Sequence, residues 1–192
     1  MESRHRSVRV ALAAMVACCL IGLASACGDD SDPEGSAQTT RNIPSTIDVS
    51  SSVFEDGEPI PPGYSCDGTN SSPPLEWSHV PDDAAALALV VSDPDAPSGT
   101  FYHWIVLDLP PDTNGLELGA TPDGVVAQGS TGQSAYMGPC PPSGTTHHYR
   151  FTVYALVKKT GLTEGAATTD ALDAIQDAAV AQGTLVGTFE RE

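Results

Sequence analysis

Asp93 and Asp95 stand two positions apart in the run Asp93-Pro94-Asp95-Ala96-Pro97, the first group in the chain arranged for chemistry. The prolines restrict the backbone around both carboxylates, although Asp-Pro pairs are also ordinary turn punctuation. His103 sits inside the apolar run from Phe101 to Asp108. Strand alternation puts it on one face with Phe101 and Ile105, while Tyr102, Trp104 and Val106 point the other way. A histidine there can equally be a satisfied core residue. His147 and Tyr149 share one face of a strand beginning at His147, and they follow Gly138-Pro139-Cys140-Pro141-Pro142-Ser143-Gly144, a loop too constrained for a generic linker. Carboxylate, imidazole and phenol together suit anion binding or acid/base work.

Other chemistries lack their residues. The chain contains no P-loop, GxGxxG, HExxH, CxxC or GxSxG pattern, and no calcium-loop spacing. The histidines and carboxylates do not recur at metal-ligand spacing, so no metal and no cofactor is expected. No serine or cysteine can be assigned a histidine base from spacing alone, which leaves an enzyme without an activated nucleophile. With 8 Lys+Arg against 25 Asp+Glu the formal charge is −17. A surface this acidic repels phosphate backbones, so nucleic acid is not an expected partner.

The elements that must position these side chains read mostly as strands. Ala85 to Ser92, Phe101 to Asp108 and Tyr149 to Val157 are short runs rich in apolar, aromatic or β-branched residues, separated by Pro and Gly clusters. That punctuation predicts an antiparallel, mainly β architecture with one or two short helices near the C-terminus. The helix is expected from about Thr169 to Gln182, capped by Thr168 or Thr169, with Leu172, Ile175 and Ala179 on one stripe and Gly183 as its stop. A final strand is expected from Thr184 to Phe189.

The N-terminus reads as an export signal over residues 1–26. Arg4, Arg6 and Arg9 form a basic region, Val10 to Leu23 is an uncharged apolar run of 14 residues, and Ala24-Ser25-Ala26 precedes Cys27. Fourteen residues fall short of the roughly 20 that a membrane span needs. Small residues leading into a cysteine resemble a bacterial lipobox, which implies acylation of Cys27, palmitate being one acyl group, and anchoring on the extracytoplasmic face of the cell membrane. The same residues also form an A-x-A site for simple secretion. Residues 27–44 are polar and read as a flexible tether, with the folded domain over 45–192. Loss of Arg4, Arg6, Arg9 and Glu2 with the signal leaves 5 basic and 24 acidic residues, a formal −19. Cys66 and Cys140 then remain, either as a disulfide or as two separate thiols.

The ordered motifs DPDAP at 93–97, FYHWIV at 101–106 and GPCPPSGTTHHY at 138–149 resemble the phosphatidylethanolamine-binding protein family, in its bacterial Raf kinase inhibitor-like branch. Residues 64–70, 72–77 and the closing 185–189 fit the same pattern, and the resemblance spans roughly Ser45 to Arg191. It implies a β-sandwich of antiparallel sheets with a small anion pocket at one end. Carried over residue by residue, that pocket would be formed by Asp93, Asp95, His103, Gly138, Pro139, His147 and Tyr149. Many relatives have His-Arg-Tyr where this chain has His147-His148-Tyr149, so no arginine at 148 can contribute.

Three functions follow as expectations. One is a binding module for phosphorylated head groups or other small anions. Another is an inhibitor or regulator of a protein partner such as a kinase or peptidase. The third is an acid/base enzyme using Asp, His and Tyr. A carboxylate cannot accept a hydrogen bond from a fully ionised phosphate, so the pocket should prefer a protonated phosphate or phosphonate. Such binding tightens as pH falls through about 6.5, the reference histidine value.

Overall fold

The computed structural model describes residues 42–192; the export signal, Cys27 and the tether up to residue 41 lie outside the described residues. The elements run in the order β1 (Asp48–Ser50), β2 (Leu75–Ser78), β3 (Ala86–Asp93), β4 (Phe101–Leu109), β5 (Gly115–Leu116), β6 (Val125–Ala127), β7 (Thr146–Leu156), α1 (Thr168–Ala178) and β8 (Ala179–Glu190). All strand pairings between them are antiparallel, forming a small sheet β1-β2-β5 and a large sheet β6-β4-β3-β7-β8.

The apolar run read as a strand becomes β3, at the centre of the large sheet. Its residues Ala86 to Val91 are all buried because both faces are covered, which is why they do not alternate with polar residues. Leu87, Leu89 and Val91 pack with Leu75 and Trp77 of β2, and this inter-sheet core makes the sandwich. Ala86, Ala88 and Val90 face the opposite way, against Ala171, Ile175 and Ala178 of α1. Complete burial of each Leu or Val in these layers contributes about 1.5–3 kcal/mol.

The C-terminal helix is shorter than its sequence pattern predicts. α1 ends at Ala178; Ala179 is extended, with φ −70° and ψ 135°, and pairs with Leu156 as the first residue of β8. Pairing with β7 overrides the local helical preference of Ala179 to Gln182. Gly183 is therefore no helix stop but a mid-strand residue where a Cβ would overlap the Ile47 carbonyl oxygen. Ala167 occupies the N-cap position without a side-chain cap, while Thr168 Oγ1 donates to the Gln128 carbonyl at 2.6 Å. Ile175 is buried as expected, Leu172 is partly buried, and Ala171 replaces Ala179 on the helical stripe.

The second correction is at His103. β3 and β4 pair Val91 with Trp104 but Ser92 with Tyr102, so β4 carries one extra residue, His103, in a bulge. The extra residue resets the alternation. Trp104 and Val106 join the inter-sheet core, whereas Ile105 faces α1 and no longer shares a face with His103. Phe101 and His103 do remain neighbours, with ring centroids 4.8 Å apart.

Candidate functional site

Asp93 is the last residue of β3 and His147 the second of β7, so adjacent strands bring them together at one end of the large sheet. His147 Nδ1 lies 2.8 Å from Asp93 Oδ2, and both side chains are buried, at 8% and 6% exposure. Asp93 Oδ1 accepts the Asp95 amide at 2.8 Å, closing the turn that contains Pro94. His103 Nδ1 is 2.8 Å from the Met137 carbonyl oxygen, and its ring meets Tyr149 edge-on at 5.2 Å. A carbonyl only accepts, so Nδ1 of His103 carries the proton and the neutral ring presents a bare Nε2.

These groups border a cleft of about 390 Å³ whose lining also includes Ala96, Pro97, Phe101, Met137, Cys140, Pro141, Pro142 and Arg191. Four of the seven residues named from sequence line it: Asp93, His103, His147 and Tyr149. The other three do not. Asp95 turns to the exposed rim, where its Oδ2 accepts from the His148 amide at 2.8 Å and lies 2.7 Å from His148 Nδ1. The chain leaves the strand after Asp93 and turns, which carries the Asp95 side chain to the rim. Gly138 and Pro139 lie behind the cleft as support. The Gly138 amide donates to Asn70 Oδ1 at 2.7 Å, and the Pro139 carbonyl accepts from the Cys66 amide at 3.0 Å.

Cys66 and Cys140 are joined by a disulfide that ties the 61–70 loop to the cleft wall, and both cysteines are exposed. Arg191, absent from the residues named from sequence, reaches the cleft because the long β7–β8 pairing returns the C-terminus beside Gly144, whose amide donates to the Arg191 carbonyl at 2.8 Å. No local pattern around Arg191 announces this.

Electrostatics divide the site. Burial holds His103 below its ordinary value, against the Met137 carbonyl and the Asp93 charge, which favour its protonated form. Burial, followed by the Asp93 charge, pushes the Tyr149 phenol up, so Tyr149 remains a neutral donor. Tyr149 is fully buried; the Cys140 amide lies toward its hydroxyl oxygen, and its O–H finds no acceptor among the described residues. The His148 side chain, and then its amide, pull Asp95 down by hydrogen bonding.

The lowered value of His103 carries a stability prediction. Below the reference histidine value of 6.5 the unfolded chain binds a proton that the folded chain refuses, so stability is full above about 6.5 and falls as pH drops from there toward the lowered folded value. Thermal melts between pH 7.5 and 5 should show this decline, and His103→Gln should flatten it. An unchanged slope in the variant would mean that other groups cause the decline.

A sequence profile of the family described as phosphatidylethanolamine-binding protein matches residues 50–190. The chain is 47% identical over 156 residues to LppC of Mycobacterium tuberculosis, a protein named as a candidate lipoprotein, across 80% of this chain and 77% of that one. It is 42% identical over 151 residues to a UPF0098 protein of Methanothermobacter thermautotrophicus, across 76% of this chain and 99% of that one. A solved structure from Chlamydia trachomatis, titled as a homologue of the same family, superposes with a TM-score of 0.73 at 38% identity, covering 77% of this chain and 99% of that one. YbcL of E. coli, titled as a new member of the mammalian family, also gives 0.73, at 28% identity over 77% of this chain and 100% of that one. The matched length, the antiparallel sandwich and the motifs at the end of its large sheet agree: this chain belongs to the phosphatidylethanolamine-binding protein family.

Proposed function

We propose that the protein is an exported, lipid-anchored binding module whose cleft takes the protonated form of a small phosphate ester or phosphonate. The observation that carries the reading is the Tyr149 hydroxyl, buried with no acceptor for its proton among the described residues, beside two histidines whose Nδ1 atoms are already engaged. An unpaired buried hydroxyl costs about 1–3 kcal/mol, a cost that a bound oxyanion would remove. In this reading Tyr149 donates to one ligand oxygen. The bare Nε2 of His103 accepts from the ligand's P–OH, which a fully ionised phosphate lacks. With Nδ1 turned to Asp93, the Nε2 of His147 becomes a donor only when the ring is protonated. Acidification therefore supplies the ligand proton that the His103 Nε2 needs. Cys27 would carry the acyl anchor, a role supported by the name of the mycobacterial relative; Cys27→Ser should release the protein from the membrane.

Calorimetric titration of phenyl phosphate at pH 5.5 and 7.5 tests the cleft chemistry. Binding should be at least several-fold tighter at pH 5.5, and equal affinities would reject the donor arrangement. Absence of binding at both values would favour a protein partner over a small ligand.

A further inference from the structure

A single phosphate does not account for this cleft. Its volume of about 390 Å³ falls within the roughly 300–1,000 Å³ of pockets that hold organic ligands. Phe101 and Pro141 are among its apolar lining, with the Phe101 ring 4.8 Å from that of His103. The β7–β8 register sets the distances. Thr146 pairs with Glu190, so Arg191 lies one residue beyond that pair, two strand positions from His147 and four from Tyr149. At about 3.4 Å per residue those offsets are about 7 and 14 Å along the strand. Exposure rises in the same direction: Tyr149 is fully buried, the His147 side chain is 8% exposed and the Arg191 side chain 36%. Arg191 is also the one permanent cation lining the cleft, in a chain with 8 basic and 25 acidic residues.

Its guanidinium is already aimed. Asp67 holds Nε through contacts of 3.1 and 3.3 Å, while the remaining guanidinium N–H groups have no hydrogen-bond partner among the described residues. An arginine anchored through Nε still offers those donors to an oxyanion, in a planar arrangement that fits carboxylate or phosphate. Asp67 is adjacent to Cys66, so the disulfide loop fixes the anchor itself.

We propose that Arg191 recognises a second acidic group on the ligand, so that the cleft selects elongated organic dianions: a phosphate at the Tyr149 floor, an apolar body along Phe101 and Pro141, and a carboxylate or phosphate at the mouth. This rests on the oxyanion reading of the floor and goes beyond it by naming the ligand's shape and second charge. Exposure at the mouth weakens the contact through solvent and salt, so the gain is modest.

The test compares phenyl phosphate with 4-carboxyphenyl phosphate by calorimetry at pH 5.5 and low ionic strength, in the wild type and in Arg191→Gln. The wild type should prefer the carboxylated probe about three- to fivefold, and the ratio should fall to about one in Arg191→Gln. Thermal melts confirm that the variant is folded. Equal binding of the two probes by the wild type, or a preference that survives in Arg191→Gln, overturns the role of Arg191 while leaving the floor intact. Failure of both probes to bind the wild type rejects the oxyanion floor and this inference with it.

Discussion

Asp93→Ala is expected to destabilise the domain by about 1.5–3 kcal/mol, the range for losing hydrogen bonds to a buried charged group. The Asp93 carboxylate serves two groups at once, His147 Nδ1 and the Asp95 amide, both at 2.8 Å. Its loss leaves a buried imidazole donor unpaired and unties the turn between β3 and β4. Urea unfolding monitored by tryptophan fluorescence gives the measurement, and a loss under 1 kcal/mol would show that solvent replaces both contacts. Asp93→Asn separates the two roles. Asparagine still accepts the Asp95 amide, but its NH₂ faces His147 and turns Nδ1 into an acceptor, moving the imidazole proton to Nε2. His147 then donates to the cleft while neutral. Phosphate binding in Asp93→Asn should accordingly be at least as tight as in the wild type at pH 7.5, while the unfolding free energy falls by less than in Asp93→Ala.

Removing the disulfide with Cys66→Ala and Cys140→Ala should cost about 4 kcal/mol, from the chain entropy of a loop of 74 residues. For a domain near 150 residues that corresponds to a fall in Tm of roughly 10 °C. Both cysteines are exposed, so a reducing agent should give the same shift in the unaltered protein. The double substitution should also weaken ligand binding, because Cys140 lines the cleft and the loop of Cys66 holds Asp67 against Arg191. A Tm change under 2 °C would mean that the other contacts of the two loops hold them in place without the bond.

The central strands were legible because burial leaves a direct mark on composition. The uninterrupted apolar run of β3 is what a strand covered on both faces requires, and Asp93 at its end marks where the cover stops. His147 and Tyr149 were legible through their spacing, since β7 keeps regular alternation through both. The bulge at His103 left no such mark: neither glycine nor proline accompanies it, and the extra residue emerges only when β4 is paired with β3. The end of α1 was hidden for a related reason. Ala179 to Gln182 suits a helix locally and becomes strand through contact with β7, a partner more than twenty residues away. Arg191 enters the site by that same long pairing. Asp95 came from the resemblance alone, and its place at the rim follows from the turn after β3, which strand spacing does not describe.

The most direct measurement is calorimetric titration of phenyl phosphate into the wild type and Tyr149→Phe at pH 5.5, with a thermal melt of each protein. Tyr149→Phe removes a hydroxyl whose proton finds no acceptor among the described residues, so the melting temperature should change little. Affinity should fall by about 10-fold or more, the loss expected for a hydrogen bond to a charged group. Equal affinity in the two proteins, or no binding to the wild type, would contradict the assignment of this cleft as an oxyanion site.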